Sequence, residues 1–388
     1  MNEFRKELEE NILPFWAEKM VDYEHGGFYG AIDGHNRLQE KANKGVVMHA
    51  RILWTFSAAF RVLKKESYLN IANRAFEYIK LHFIDAKFGG VYWELDYLGN
   101  PVNKKKQTYA QGFALYAFSE YYRATSIPEA LTLSKAFFEQ IESLKDQETG
   151  GYWEAFTEDW QPIEDMRLSD KDENEAKTMN THLHILEPYT NLLRIWPDQQ
   201  VIRAQHELLD LFLHKIYNPK NGHLQLFFDK NWNSQTDTIS YGHDIEAAWL
   251  MLEAAEVLNN TELKEEVATT SLAIALASAE GLLADGSMAY ELKDGVLDKE
   301  RHWWVQAEAV VGFQYLAVQF DQVHYLEYSK ILWKYIQNEL IDYENGEWYW
   351  SRNEGGSINR KDDKAGFWKC PYHNGRMCLE MMAFQSKK

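Results

Sequence analysis

The sequence predicts an all-α (α/α)6 toroid. Three observations carry that expectation: a motif that recurs six times, a spacing that fits two helices per unit, and helical periodicity between the motifs. The motif is an acidic or Asn residue, then a glycine turn, then an aromatic or apolar strand-like stub. It reads DYEHGGFY at 22–29, DAKFGGVY at 85–92, DQETGGYW at 146–153, NPKNGHL at 218–224, DGSMAY at 285–290 and DYENGEWY at 342–349. The turn glycines (Gly26, Gly89, Gly150, Gly222, Gly286, Gly346) stand 60 to 72 residues apart, the length of two long helices plus a turn. One such hairpin cannot bury its own apolar face, whereas six in series bury a continuous core. Six hairpins give twelve helices, with an inner ring around a cavity closed at one end.

Apolar residues recur at i, i+3, i+4 and i+7 over 45–63, 68–82, 109–122, 127–144 and 187–196. The pattern continues over 201–216, 242–258, 263–277, 303–320 and 325–339. The stub glycines fall where helix C-caps and left-handed turns need them. Pairing the stretches in order gathers the stubs at one end, so the pocket is expected among the loops and inner-helix termini. A closed ring cannot be cut without opening its core, and no Pro/Ser/Gly-rich linker intervenes. Residues 1–388 therefore read as one catalytic domain, although the length by itself would fit two or three.

Composition narrows the ligand. A net charge of −18 argues against nucleic-acid backbones and anionic membranes, which need clustered Lys and Arg. Neutral or cationic small molecules remain. The N-terminus, MNEFRKELEE, lacks the apolar centre of a signal peptide, and no uninterrupted apolar span is long enough for a bilayer. Cys370 and Cys378 make no zinc set and, as two free thiols, fit a reducing cytoplasm. Most of the 14 Trp, 22 Tyr and 20 Phe are expected as core wedges between helices; any that face the cavity offer flat rings for the C–H faces of sugars, and composition does not separate the two uses.

Four segments concentrate polar chemistry. In 178–189, TMNTHLHILEPY, a helix puts Asn180, His184 and Glu187 on one face and turns His182 away. Pro188 cannot donate to the carbonyl of His184, so the helix is expected to kink or begin there. In 241–249, YGHDIEAAW, His243 and Glu246 share a face, an arrangement in which a carboxylate orients an imidazole. The tail, 368–378, sets His373 in a loop between Pro371 and Gly375, before a short helix. At 303–308, Trp304 and Glu308 lie at i, i+4, a stacking platform beside an acid. Arg51 stands inside an apolar helix and must meet either a carboxylate or an oxygen-rich ligand. The histidine spacing lacks an HxxxH or facial-triad pattern, so no metal is expected. No P-loop, GxGxxG or GxSxG motif is present.

These segments also carry a family resemblance. ARILW at 50–54, TMNTHLHILEPYTNL at 178–192, SYGHDIEAAWL at 240–250, WWVQAEAVVGF at 303–313 and WKCPYHNGRMCLE at 368–380 resemble, in order and spacing, the cellobiose 2-epimerases of the N-acylglucosamine 2-epimerase superfamily. The resemblance implies an (α/α)6 barrel, a cofactor-free epimerase and β-1,4-linked disaccharide substrates. It implies site roles for Arg51, Tyr109, Asn180, His184, His243, Glu246, Trp304, Trp368 and His373, with Asp172 and Trp303 near the sugar. Gln306 departs from the Glu the resemblance leads one to expect, which puts a secondary contact in doubt. A monomer or weak homo-oligomer is expected.

Inverting C2 of an aldose requires the open-chain aldehyde, a base for the C2 proton and a cradle for the enediolate oxygen. His243 and His373 are the expected pair of bases on opposite faces, with Arg51 as the cradle. His184 is expected to assist ring opening, while Asn180 and Tyr109 position hydroxyls. A single base with a rotating intermediate is a permitted variant. Competing readings are a monosaccharide-acting N-acylglucosamine 2-epimerase or mannose isomerase, an (α/α)6 glycoside hydrolase or lyase, and a non-catalytic helical scaffold. Hydrolysis normally needs two carboxylates across the bond, whereas the singular residues here are histidines. A scaffold gives no reason for the His/Arg set.

Overall fold

A computed structural model describes residues 2–386, and among them the chain forms twelve helices joined by short strands and turns. Outer helix α1 starts at Glu3–Glu7 and runs on to residue 19. Inner and outer helices then alternate: α2 (Val46–Leu63), α3 (Glu66–Tyr78), α4 (Thr108–Thr125), α5 (Pro128–Ser143), α6 (Met179–Leu193) and α7 (Gln199–Leu211). After them come α8 (Tyr241–Leu258), α9 (Thr261–Ser278), α10 (Trp303–Gln319), α11 (Val323–Tyr335) and α12 (Tyr372–Ser386). The even-numbered helices pack in order, and α12 returns to α2, closing the inner ring of an (α/α)6 toroid.

Helices α3 to α11 each pack on the inner helix before them, but α1 packs on α12. The sixth hairpin is thus made from the two ends of the chain, which pairing in strict order does not anticipate. Helix α12 spans 15 residues, longer than the short tail helix expected. His373 lies in its first turn and not in a loop, because Pro371 sits where a helix start tolerates a missing N–H. Inner helices are enclosed on both sides, so their sequences are apolar nearly all round. Helix α2 is long and apolar enough for a membrane by composition, yet 78% of that span is buried inside the protein.

The stubs separate each outer helix from the next inner one. Their first glycines adopt φ of +76 to +86°, as the turn demands, but they do not cap helices. The left-handed caps of α2, α4 and α8 fall instead on Lys64, Ser126 and Asn259. Each acidic stub residue accepts turn N–H groups and meets a cation from just ahead of an inner helix. Lys44–Asp22 and Lys177–Asp146 lie at 2.7 Å, Lys106–Asp85 and Arg301–Asp285 at 2.8 Å, and Lys364 pairs with Asp342. Lys44 and Lys106 also donate to the carbonyls of the turn glycines Gly26 and Gly89. In the fourth unit, Asn218 replaces the acid and Ile239 stands where the cation would be, so charge and counter-charge are lost together.

Two-residue strands staple neighbouring units. The dyads before α2, α4, α6, α8 and α10 pair antiparallel with the stub strand of the following unit, as in Lys106–Gln107 with Ala155–Phe156. A bridge from Ile32 to Ala365 completes the circle.

The Asp85 and Lys106 side chains are wholly buried, so removing one partner leaves an uncompensated charge. Asp85→Ala should destabilise the fold by about 3–5 kcal/mol. The double change Asp85→Asn with Lys106→Ile, which copies the fourth unit, should recover most of that loss. Urea unfolding of the three proteins checks this; equal losses in the single and double variants would contradict it.

Candidate active site

A repeated hydrogen bond sets the register of the inner helices. Near the start of each, one side chain pins the stub that precedes it. The ring nitrogens of His49 and His182 and the side-chain oxygens of Gln111, Asp244 and Gln306 accept backbone N–H groups of Phe28, Tyr152, Val91, Leu224 and Met288. In the sixth unit Asn374 does the same through Glu347, whose carboxylate it holds and which accepts from the Trp348 N–H. His182, expected to point away from Asn180 and His184, is therefore a structural pin. So is Gln306, which also donates to the Met288 carbonyl at 2.8 Å; the structure gives it this role in place of a sugar contact.

Counting from the pins explains what reaches the cavity. Two residues after them come Arg51, Phe113, His184, Glu246, Glu308 and Arg376; one residue before two of them come His243 and His373. Two residues before them are Tyr109, Asn180 and Trp304. A cavity of about 480 Å³ opens among the stubs, and Arg51, Tyr109, Asp172, Asn180, His184, His243, Glu246, Trp303, Trp304, Trp368 and His373 all line it. Glu308, expected at the wall beside Trp304, lies behind it: it is 1% exposed and accepts from Trp249 Nε1, His373 Nδ1 and Arg376.

The histidines are held differently. His184 Nδ1 lies 2.6 Å from Glu187 and His373 Nδ1 lies 2.6 Å from Glu308. His243 Nδ1 meets Ser240 Oγ at 2.9 Å, so its orienting partner is a hydroxyl and not the Glu246 expected from the helical face. Glu246 turns instead to Arg376, and its second oxygen is buried without a protein partner. The Trp304 ring rests 4.7 Å from His243 and 5.7 Å from His373, placing one indole against both imidazoles. Gly242 makes that possible, because a Cβ there would come within 2.7 Å of the Trp304 ring.

Pro188 leaves helix α6 unbroken. The carbonyl of His184, which Pro188 cannot bond, is met by Gly112 of α4, where a Cβ would approach to 2.4 Å. Arg51 has no carboxylate partner among the described residues: it donates to Tyr109 Oη at 2.9 Å and the Trp368 carbonyl at 3.4 Å, and stacks on Phe113 and Tyr372. Its Nε is buried and unbonded. Asp172 accepts from Ser169 at the half-buried mouth.

Burial drives the electrostatics. It pushes His243 and His373 down to about 3, helped at His243 by His184 and His373 and opposed at His373 by Glu308. His184 is lowered by burial too, against the pull of Glu187. All three imidazoles are thus biased toward the neutral form, in which a ring nitrogen can accept a proton. Burial raises Glu308 as well, but Arg376 and His373 outweigh it and hold the carboxyl near 2; Glu246, buried beside Glu308, is pushed well above the carboxylate range. Glu246, Glu308 and His373 converge closely enough for a metal, but the guanidinium of Arg376 already supplies a cation to both acids.

Arg376 is the residue the sequence reading passes over. It bonds Glu187, Glu246 and Glu308 at 2.6, 2.6 and 2.7 Å. Glu154, Tyr290, His302 and Trp350, also unanticipated, add to the cavity wall. An internal alignment of the six units would have flagged Arg376, since it shares the register of Arg51 and His184.

Fold and cavity together define an (α/α)6 barrel whose cavity is lined by imidazoles, a guanidinium and indoles. The N-acylglucosamine 2-epimerase (GlcNAc 2-epimerase) family model matches residues 27–375, and the chain belongs to that family. A cellobiose 2-epimerase of Bacteroides fragilis is 53% identical over 383 residues, 98% of each chain. The solved cellobiose 2-epimerase from Bacillus thermoamylovorans B4167 matches with a TM-score of 0.95 at 44% identity, over 99% of this chain and 98% of that one. A solved D-mannose isomerase, 18% identical, shares the fold with a TM-score of 0.86 over 98% of this chain and 97% of that one.

Burial raises the carboxyl of Glu154 from 4.5 to about 8, against hydrogen bonds from Thr181 and Thr178. The folded chain keeps a proton there that the unfolded chain releases, so stability falls as pH rises from about 5 to 8. Glu154→Gln cannot titrate, and its melting temperature should drop less than the wild type's over that range. Calorimetry at several pH values checks it; parallel curves would remove Glu154 from the account.

Proposed function

We propose that this chain is a cellobiose 2-epimerase that inverts C2 of the reducing-end glucose of β-1,4-linked disaccharides, cellobiose and lactose among them. The supporting observation is the placement of His243 and His373 in one register on α8 and α12, with Trp304 of the intervening α10 against both rings. The high identity to proteins named cellobiose 2-epimerase supports the substrate class.

His184, tied to Glu187, opens the sugar ring by moving a proton between the ring oxygen and the anomeric hydroxyl. The C2–H bond of the aldehyde form is then α to a carbonyl. One imidazole takes that proton and becomes imidazolium; the bond's electrons pass into the C1–C2 linkage and leave charge on the carbonyl oxygen. Arg51, a buried cation without a carboxylate of its own, stabilises that oxygen. The imidazole on the other face returns a proton taken from solvent or a sugar hydroxyl, and exchange with water resets the pair. Trp304 and Trp368 give flat surfaces for the two sugars. No cofactor is required, because the sugar's own carbonyl acidifies C2.

Turnover of cellobiose in D2O should place deuterium at C2 of the product, read by NMR; full retention of the original hydrogen would exclude proton transfer through solvent-exchanging bases. His243→Ala and His373→Ala should each lower kcat by about 10²–10⁴-fold with unchanged melting temperatures. Side-by-side assays on cellobiose, lactose, N-acetylglucosamine and mannose separate this reading from a monosaccharide enzyme.

A further inference from the structure

We propose that Arg376 is a positioning residue of the active site: one guanidinium that ties together the carboxylate partners of His184 and His373 and so fixes both imidazoles at once. The inference rests on the epimerase reading above. Arg376 is 1% exposed. Its Nη1 donates to Glu187 Oε2 and to the Tyr372 hydroxyl, which itself donates to the same Glu187 oxygen. Its Nη2 donates to Glu246 Oε1 and Glu308 Oε1. Glu187 and Glu308 are the groups that hold Nδ1 of His184 and of His373, each at 2.6 Å. A continuous path therefore runs from His184 through Glu187, Arg376 and Glu308 to His373, crossing from α6 to α10 by way of α12.

Every inner helix but one places a titratable or charged group near this guanidinium or in line with it. Tyr116 faces it from α4, His184 and Glu187 from α6, Glu246 from α8, Glu308 from α10, and Tyr372, His373 and Glu380 from α12. Helix α2 contributes Arg51, which shares the Tyr372 ring with Arg376. Three buried carboxyl groups share this one cation. Arg376 holds Glu187 and Glu308 below their ordinary range despite burial, while burial and the neighbouring Glu308 push Glu246 up. Two anions thus sit behind two neutral imidazoles, each accepting from Nδ1–H and leaving Nε2 free as the base. A lysine could not do this, because a single ammonium lacks the fork that reaches acceptors on three helices.

Two variants and one wild-type measurement test the proposal. Arg376→Met should lower kcat by about 10²-fold with little change in KM. It should also move the acid limb of the kcat profile about one pH unit higher, since the carboxyl groups protonate earlier and the imidazoles lose a neighbouring cation. Arg376→Lys keeps the charge, so its acid limb should stay in place while kcat still falls about tenfold. Either variant with wild-type kcat and an unmoved profile would overturn the assignment. Should Arg376→Met fail to fold, Arg376→Lys decides. The wild-type protein gives an independent reading: imidazole 15N NMR should find both His184 and His373 as neutral Nδ1–H tautomers, and an Nε2–H tautomer at either position would refute the path. That readout needs no substrate, whereas loss of the epimerase reading would appear as wild-type protein inert on cellobiose, so the two can fail separately.

Discussion

The structure depends on keeping six helix starts at one radius around an empty centre. Two kinds of contact enforce this: a side chain that pins the stub's N–H, and, in every unit but the fourth, a charge pair under the glycine turn. The pins and four of the charge pairs are buried, and both kinds link residues on different elements. Because an unpaired buried donor or charge is costly, each contact tolerates little drift along the helix axis. A slip of one residue in any inner helix would rotate its side chains by about a third of a turn and take its contribution out of the cavity. Precision at the site is thus inherited from bonds that never touch a ligand. The pairing of α1 with α12 extends the constraint to the whole chain, since the ring closes only when its two ends meet.

That constraint also explains why polar groups concentrate where they do. A side chain two residues past a pin points at the axis whichever unit it belongs to. In the second unit the position is Phe113 and supports Arg51 by stacking at 4.3 Å; in the other five it is charged or titratable. The same geometric slot therefore yields a wall residue, a cation, an imidazole or an acid according to the side chain alone. Depth divides the set. Arg51, His184 and Glu246 reach the cavity surface, while Glu308 and Arg376 stay one layer back and orient what stands in front of them.

How much of this is legible in the sequence follows from the same geometry. The glycine period and the 3.6-residue pattern reveal the toroid, because both are local and repeated six times. His184 and Arg51 stand out because a charged or titratable residue inside an apolar helix needs a reason, His243 because Glu246 shares its helical face, and His373 because it reads as a loop residue between Pro371 and Gly375. What faces them does not stand out. Glu246 shares a helical face with His243 but accepts from Arg376, since the donor that reaches it comes from another helix and not from one turn away. Glu308 has the same history with Trp304. Periodicity gives the direction of a side chain and says nothing about the partner that arrives from 60 or 130 residues away. The joining of α1 to α12 escapes for a related reason: a repeat read along a line does not announce that the line is a circle. Pro188 misleads because helix α6 runs on unbroken past it, with the His184 carbonyl packed against Gly112 of α4.

The two central arginines complete the logic. Both are buried, and both lie over the Tyr372 ring, at 4.9 Å for Arg51 and 4.4 Å for Arg376. Arg376 gathers the three acids; Arg51 is left with a phenol, a backbone carbonyl, the Cys370 thiol and aromatic faces. If the acids were free to reach Arg51, it would be neutralised and could do little for a developing oxyanion. By absorbing them one layer back, Arg376 keeps the cation at the cavity wall under-satisfied. A buried cation without its own counter-ion is expensive, and the most effective way to relieve that cost is an anionic oxygen held at the wall. The division of partners between the two arginines therefore leaves a cation at the cavity wall with no carboxylate among the described residues, in a chain whose overall charge is −18.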